Sequence, residues 1–135
     1  MPINFDKALG SHEKALLLQS RRTSILASNI ANADTPGYKA RDMDFAQTLK
    51  KVKFNTGSPA SLKTTNAAHF KSASKDVFSG VEMNYRTPSQ PSLDGNTVEL
   101  QKEQAAFAEN AVRYQATLKF LGGRFKGIRA ALRGE

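Results

Sequence analysis

The C-terminal third of the chain carries an apolar row whose members are spaced alternately four and three residues apart. The row consists of Leu100, Gln104, Phe107, Ala111, Tyr114, Leu118, Leu121, Phe125, Ile128 and Leu132. All of these except Gln104 are apolar or aromatic, and the spacing holds for more than four heptads. A 3.5-residue repeat of this length is typical of a helix that wraps around a partner helix. It therefore predicts a long helix from about Thr97 to Leu132.

The N-terminal end carries a second row with the same spacing, which predicts a helix from about Phe5 to Ala33. Its members are Phe5, Leu9, His12, Leu16, Gln19, Thr23, Leu26, Ile30 and Ala33. Three of these nine are polar, so this seam is the weaker one, but Leu17, Leu18 and Ile25 add a second apolar strip beside it. At 1.5 Å per residue the two helices would be about 43 and 54 Å long. The remaining chain is too short to cover them, so we expect other copies or other proteins to do so.

Capping and charge signals support the second helix. Asn96 precedes the seam and Glu99 follows three residues later, an arrangement that resembles a capping box. Acidic residues lie early in this segment and basic residues late, which suits the helix dipole. Three glycines, Gly122, Gly123 and Gly127, disagree with a helix interior. They indicate either close packing of a neighbouring chain or fraying of the helix end.

The segment from Asp34 to Gly95 has little periodicity and is rich in loop-forming residues. One short helix is predicted at about Asp42 to Val52, and short extended pieces at Val52 to Phe54, Val77 to Phe78 and Val81 to Tyr85. The predicted fold class is mainly α, with long N- and C-terminal helices paired as a coiled coil. Residues 1–33 and 96–135 would form the helical core, and residues 34–95 an irregular segment carrying the short helix and a few short strands.

Composition narrows the function classes. Apolar residues make up 39% of the chain and Trp is absent, so the core should be lean. There is no cysteine, which excludes disulfides and thiolate metal sites. No apolar run is long enough for a membrane span, and the N-terminus lacks the pattern of a cleaved secretory signal. The net charge of +8 is first interpreted as a solvated basic face.

No set of residues points to catalysis, a metal site or a cofactor site. The two histidines, His12 and His69, lie far apart in the sequence, and neither has the neighbouring ligands that a metal requires. No glycine-rich phosphate loop follows a predicted strand. The basic half of the C-terminal helix overlaps its apolar seam, unlike a DNA-reading basic region. We therefore expect neither an enzyme nor a nucleic-acid reader, and no membrane insertion.

The first predicted helix ends in the run "SNIANADTPGYKARD", residues 28–42. Thr35 precedes Pro36 and is biased toward an extended conformation, so the helix cannot continue. Pro36 and Gly37 form a turn pair in which Gly37 is free to adopt positive φ. Asn29 and Asn32 lie in the last helical turn, where their amides can bond backbone groups of a returning loop. Tyr38 then offers a flat anchor with a hydroxyl group.

This run resembles the N-terminal signature of the bacterial flagellar axial proteins, which build the rod, the hook and the hook-associated structures. The stretches "NIANADTPGYKARDMDF" and "YRTPSQPSLDGNTVELQKEQAAFAENAVRYQ" carry the resemblance, with high specificity over about half of the chain. They are most similar to the proximal rod members of that family. Residues 53–81 show no resemblance from which a functional residue can be inferred.

The resemblance implies a structural subunit and not an enzyme. Such proteins leave the cytoplasm through the flagellar type III export apparatus without a cleaved signal. They polymerise in the periplasm, with their terminal helices paired and lining a tube that serves as part of the drive shaft and export channel. The implied partners are copies of itself, the adapter FliE, the rod proteins FlgC and FlgF, and the membrane ring.

The resemblance also implies roles for particular residues. Those of the axial-family motif would form the turn that joins the helical core to the rod wall, namely Asn29, Asn32, Thr35, Pro36, Gly37 and Tyr38. A second group would return the chain into the last helix, namely Tyr85, Pro91, Asp94, Gly95, Asn96 and Thr97. The assembly seam, in contrast, follows from the heptad rows, and it would comprise Leu9, Leu16, Leu26, Ile30, Phe107, Tyr114, Leu118, Leu121, Phe125, Ile128 and Leu132.

Two other functions remain open at this point. The first is an autonomous helical adapter that binds one partner through its helix pair and builds no filament. The second is a basic nucleic-acid-associated protein, whose binding would weaken steeply with salt because it would rest on phosphate contacts.

Overall fold

A computed structural model describes residues 9–54 and 81–134 of the chain. Its elements, in chain order, are α1 (His12–Ala31), β1 (Arg41–Met43), α2 (Phe45–Phe54), β2 (Met83–Tyr85) and α3 (Leu100–Arg133). The two long helices pack against each other, and the short helix and two strands lie between them in sequence. The prediction of a mainly α fold with paired terminal helices is confirmed.

The helix pair is antiparallel. Asn29 near the end of α1 contacts Glu103 near the start of α3, and His12 at the start of α1 contacts Phe120. Leu18 and Leu26 on α1 are fully buried in this contact region. The core is small because α3 contributes no buried apolar residue to it. At 1.5 Å per residue, the 34 residues of α3 span about 50 Å, so the helix extends well past the start of α1.

The first helix is not continuous over the predicted range. α1 begins at His12, with Ser11 as its N-cap, and the predicted start at Phe5 lies outside the described residues. Gly10 has a φ of +65°, a left-handed conformation that interrupts a right-handed helix. The glycine therefore sets the boundary that periodicity alone placed farther upstream. At the other end the helix stops at Ala31, two residues before the predicted Ala33.

The predicted start of the last helix is also wrong. α3 begins at Leu100 with Glu99 as its N-cap, so Asn96 and Glu99 do not form a capping box. The Asn96 side chain instead donates hydrogen bonds to backbone carbonyls at the end of α1. The three glycines Gly122, Gly123 and Gly127 stay within α3, which ends at Arg133 with Gly134 in the left-handed conformation.

The middle segment follows the prediction in part. The short helix α2 covers most of the predicted range, but it begins at Phe45 because Arg41–Met43 pairs as β1 with Met83–Tyr85. Asp44 caps α2, since its carboxylate accepts a hydrogen bond from the Gln47 amide at 2.9 Å.

Of the predicted extended pieces, only the one ending at Tyr85 is confirmed, as β2. Val52 to Phe54 is helical and not extended, because α2 continues through Phe54. The piece at Val77 to Phe78 lies outside the described residues. The antiparallel pairing of β1 with β2 was not predicted; it aligns Arg41 with Tyr85 and Met43 with Met83.

Candidate assembly site

The turn after α1 has the geometry that its sequence predicts. Gly37 has a φ of +74°, which an L-residue with a side chain rarely adopts. The Thr35 hydroxyl donates to the Asn32 side-chain oxygen at 3.1 Å, and the Tyr38 amide donates to the Thr35 carbonyl at 3.3 Å. The Asn32 amide nitrogen donates back to the Ser28 carbonyl of its own helix at 2.8 Å. The turn is thus closed by hydrogen bonds on both sides of Pro36.

The returning segment docks directly on this turn. The Gly37 amide donates to the Asp94 carbonyl at 2.9 Å, and the Thr97 amide donates to the Tyr38 carbonyl at 3.0 Å. The Thr97 hydroxyl also accepts a hydrogen bond from the Ala40 amide at 2.8 Å. Two stretches that are almost sixty residues apart in sequence therefore behave as one structural unit.

Asn96 joins the ends of the two long helices. Its side-chain nitrogen lies 3.1 Å from the Asn32 carbonyl, 2.7 Å from that of Ala33 and 3.0 Å from that of Thr35, so it caps the C-terminal end of α1. Its side-chain oxygen accepts a hydrogen bond from the Val98 amide at 2.8 Å, just before α3. Asn96 is 7% exposed, so these bonds are largely shielded from water.

Asn29 is the fully buried centre of the motif. Its side-chain nitrogen donates to the Arg41 carbonyl at 2.7 Å and to a carboxylate oxygen of Glu103 at 3.0 Å. Its side-chain oxygen accepts from the Arg41 amide at 3.2 Å and from the Tyr38 hydroxyl at 3.4 Å. One asparagine therefore connects α1, the motif turn, β1 and α3.

A charged network continues from Glu103 toward β1. Arg86, just after β2, pairs with Glu103 at 3.0 Å and with Asp42 at 2.6 Å. Asp42 also receives a two-point contact from Arg22 of α1, at 3.0 and 2.9 Å. Burial would raise the pKa of Asp42, but the hydrogen bonds from Arg22 and Arg86 outweigh it and hold the pKa below its usual value. The hydrogen bond to Asp42 in turn raises the pKa of Arg22.

The contact between the two long helices is unusually polar along its length. Glu103 and Asn110 are each 1% exposed, and Gln19 is 4% exposed. Asn110 donates to the Gln19 carbonyl and to the Thr23 hydroxyl, both at 2.9 Å. The Gln19 amide nitrogen donates to the Thr117 hydroxyl at 3.1 Å. Glu103, Asn110 and Thr117 are seven residues apart, a helix-pairing signal that the search for an apolar row missed.

The predicted assembly seam is only partly enclosed by the chain itself. On the first helix Leu26 is fully buried and Leu9, Leu16 and Ile30 are half-buried. On α3, Phe107, Leu121 and Ile128 are half-buried at the edge of the helix contact. The remaining four side chains are exposed, at 36% for Tyr114, 52% for Leu118, 47% for Phe125 and 83% for Leu132.

An open groove runs beside the exposed part of this seam. It has a volume of about 460 Å³. Its α3 wall includes Phe107, Ala111 and Tyr114, and its α1 wall includes the small residues Ser24 and Ala27. A second groove of about 780 Å³ lies where α3 passes the start of α1, between His12 and the helix surface that carries Gly123 and Gly127.

The other residues of the predicted return segment lie around the turn. Tyr85 is 66% exposed and stacks under the Arg41 guanidinium, 5.3 Å from the ring centre. Pro91 is exposed, and Gly95 has a φ of +72° with the Lys39 ammonium 2.6 Å from its carbonyl. A hydrogen bond from the Ser92 hydroxyl lowers the pKa of Asp94.

Residues 9–54 and 81–134 contain no cluster of three or more His, Asp or Glu side chains that could hold a metal ion. His12 contacts the Phe120 ring at 6.1 Å between ring centres, which is a packing role, and His69 lies outside those ranges. Among the helices described, none is long and apolar enough to cross a membrane.

Comparison with known proteins gives a match to the segment that carries the motif and matches to nearly the whole chain. Residues 9–39 match a family model described as "Flagella basal body rod protein". The chain is 45% identical to the flagellar basal body rod protein FlgB of Aeromonas hydrophila, covering 100% of this chain and 99% of that protein. It is 47% identical to FlgB of Salmonella typhimurium, covering 96% and 95%, and 48% identical to FlgB of Cereibacter sphaeroides, covering 97% and 98%.

These relatives are named as rod proteins, and none of the names describes an enzyme. The matched family segment contains α1 and the turn through Tyr38, so the similarity includes the residues that hold the two ends of the chain together. Together, the family match and the near-full-length identities show that the chain belongs to the FlgB family of flagellar basal body rod proteins.

Proposed function

We propose that the chain is a structural subunit of the proximal rod of the flagellar basal body, and that it polymerises through its terminal helices. In this role it forms part of the drive shaft and of the channel through which later subunits are exported. The supporting observation is its family membership, with 45% identity to a rod protein over the full chain. The protein is a rod component and not an enzyme.

The distribution of apolar surface supports this proposal. The four exposed seam side chains on α3 lie on one helix that extends past the end of its intramolecular partner. Apolar surface of this kind is stabilised when another chain removes it from water. We propose that the seam from Leu9 to Ile30 and from Phe107 to Leu132 is the assembly surface, and that residues 34–95 belong to the rod wall.

The polar turn supports a role in joining these two parts. Asn29 bonds both β1 and α3, and the turn beside it is closed by the Thr35–Asn32 and Tyr38–Asn29 hydrogen bonds. In the proposed rod, this rigid joint transmits torque between the helical core and the wall. We further propose that the neighbours are copies of the same chain, the adapter FliE, the rod proteins FlgC and FlgF, and the membrane ring. Export through the flagellar type III apparatus, without a cleaved signal, would deliver the chain to the periplasm.

The assembly seam can be tested with charged substitutions. Leu118→Asp and Leu121→Asp, or removal of the last helical turns from Gly127 onward, should abolish incorporation into the rod and motility. Val112→Asp is a matched control, because Val112 is 66% exposed and lies off the seam. Soft-agar motility and the protein content of purified basal bodies are the readouts. Normal swimming and normal co-purification of the seam variants would contradict the proposal.

A further inference from the structure

The side of α3 that faces α1 is not its most apolar side. The buried members of the contact are Glu103 and Asn110, followed by the half-buried Thr117. The apolar row is instead offset to one side of this contact, with Phe107 and Leu121 half-buried at its edge and Leu118 52% exposed. Hydrophobic burial alone would favour the opposite setting, with the apolar row turned inward.

We propose that Glu103, Asn110 and Thr117 act as three polar rungs that fix the register and the rotational setting of α3 on α1. Each rung finds its partner on α1 only in the observed arrangement. Glu103 meets Asn29 at 3.0 Å, Asn110 meets Thr23 at 2.9 Å, and Thr117 meets Gln19 at 3.1 Å. The inference concerns the conformation of one chain and does not depend on its place in the rod.

The cost of slipping is concentrated at Glu103. If α3 moved by one heptad, about 10 Å, the Glu103 carboxylate would occupy the present site of Asn110. There it would face the Gln19 carbonyl, which is an acceptor, and the Thr23 hydroxyl, whose hydrogen already goes to that carbonyl at 3.0 Å. It would also lose its ion pair with Arg86 at 3.0 Å. A buried carboxylate without a cation or donor is strongly unfavourable. The apolar row has no such preference, because it repeats every heptad.

The polar contacts between α3 and α1 lower the stability of the helix pair, as is expected of residues that specify one arrangement. The side-chain oxygen of Gln19 is buried without a hydrogen-bond partner among the described residues. Leaving a buried acceptor unsatisfied destabilises a helix contact, whereas an apolar residue of the same size would not. A polar residue at a helix interface that lowers stability but specifies one arrangement is a known solution in coiled coils.

The test combines two rung substitutions, Asn110→Leu and Thr117→Val, in the full-length chain. These changes add apolar surface and do not leave the Glu103–Arg86 pair broken, so the variant should fold, and circular dichroism checks its helix content. A second variant adds Glu103→Leu to these two changes, which removes the carboxylate that opposes slipping. The matched control is Glu109→Leu with Lys119→Leu, which adds apolar side chains at exposed positions of the same helix that lie off the apolar row.

Register is measured as a distance between two spin labels. The chain has no native cysteine, so cysteines at the exposed positions Glu13 and Gln101 can be labelled cleanly. Rotation is measured as the thiol-labelling rate of Leu118→Cys. Val112→Cys is its reference, since Val112 lies about 180° around the helix from Glu103.

The parent and the control should give one narrow distance and fast labelling at both positions. In the rung variant, which keeps Glu103, we expect labelling at position 118 that is at least about threefold slower while position 112 is unchanged. In the variant that also carries Glu103→Leu we expect, in addition, a second distance population shifted by about 10 Å. Either change supports the proposal. If both readouts match those of the parent in both folded variants, the proposal is wrong and the docked turn alone sets the helix arrangement.

Discussion

The side-chain amide of Asn29 donates a 3.0 Å hydrogen bond to the Glu103 carboxylate across 74 residues of sequence. This bond connects the end of the first long helix to the start of the last one. The same asparagine bonds both backbone groups of Arg41, so the strand segment is held at the same point. The two ends of the chain and its middle segment therefore meet at one buried amide.

The first prediction concerns the charge at this position. Asn29→Asp would place a second carboxylate beside Glu103 and would remove the donor to the Arg41 carbonyl. We expect the free energy of unfolding to fall by about 3 kcal/mol, as is usual for an unpaired buried charge. Chemical denaturation measures it. Gln90→Glu is the matched control, because Gln90 is exposed in the loop after β2 and the same change from amide to carboxylate there should alter stability by less than about 0.5 kcal/mol. Equal losses in the two variants would show that the amide has no special role.

The second prediction concerns the dependence of stability on pH at Asp42. Its pKa is lowered in the folded chain, from about 3.9 in an unfolded one. Asp42 therefore stabilises the fold above pH 4, and this contribution is lost as the pH falls through the lowered pKa. Asp42→Asn should cost about 2 to 4 kcal/mol at pH 7, because Arg22 and Arg86 lose their shared partner.

The difference between the parent and Asp42→Asn should shrink at acid pH, where Asp42 is protonated in both folded and unfolded chains. Unfolding curves from pH 2 to pH 7 measure this directly. A constant difference across that range would contradict the assignment of the lowered pKa to the two arginines.

The third prediction concerns the cap that Asn96 provides for α1. Asn96→Ala removes the donor to three carbonyls and the acceptor for the Val98 amide. We expect a loss of about 2 kcal/mol in the free energy of unfolding, within the range for a lost helix cap. Asn96→Asp keeps the acceptor but not the donor, so it should be at least as destabilising as Asn96→Ala. A stable Asn96→Asp variant would instead assign the main role to the bond with Val98.

The fourth prediction concerns Glu99 at the start of α3. The hydrogen bond from Lys102, followed by that from the Ser89 amide, lowers the pKa of Glu99 to about 2. Its stabilising effect is present above pH 4.5 and is lost as the pH falls toward 2. Titration by NMR should give this low midpoint, and Lys102→Ala should move it back toward 4.5. A Glu99 midpoint near 4.5 in the parent chain would rule out the bond to Lys102.

The two long helices could be predicted from the sequence because their apolar rows repeat over many turns. The strict spacing from Leu100 to Leu132 locates α3 to within a few residues. The motif turn could also be predicted, because Pro36 and Gly37 have narrow backbone preferences, and Gly37 does adopt positive φ. These are local properties that need no knowledge of the rest of the chain.

The face of α3 that contacts α1 could not be predicted in this way. The apolar row points to a contact through Leu118 and Phe125, whereas the buried positions are Glu103 and Asn110. Their burial depends on partners such as Arg86 and Thr23, which are distant in sequence. The interruption at Gly10 was not predicted for a simpler reason. The apolar row continues across this glycine, and its left-handed backbone conformation cannot be seen in the sequence.

The location of the chain in purified flagellar basal bodies tests the central claim most directly. A small epitope inserted after the exposed Gln90, in a strain that still swims, can be localised by immunogold electron microscopy of isolated basal bodies. A rod subunit of the proposed kind should label the rod at the end nearest the cytoplasmic membrane, in every particle that retains its rod. Basal bodies that are complete yet lack the tagged chain would contradict the account.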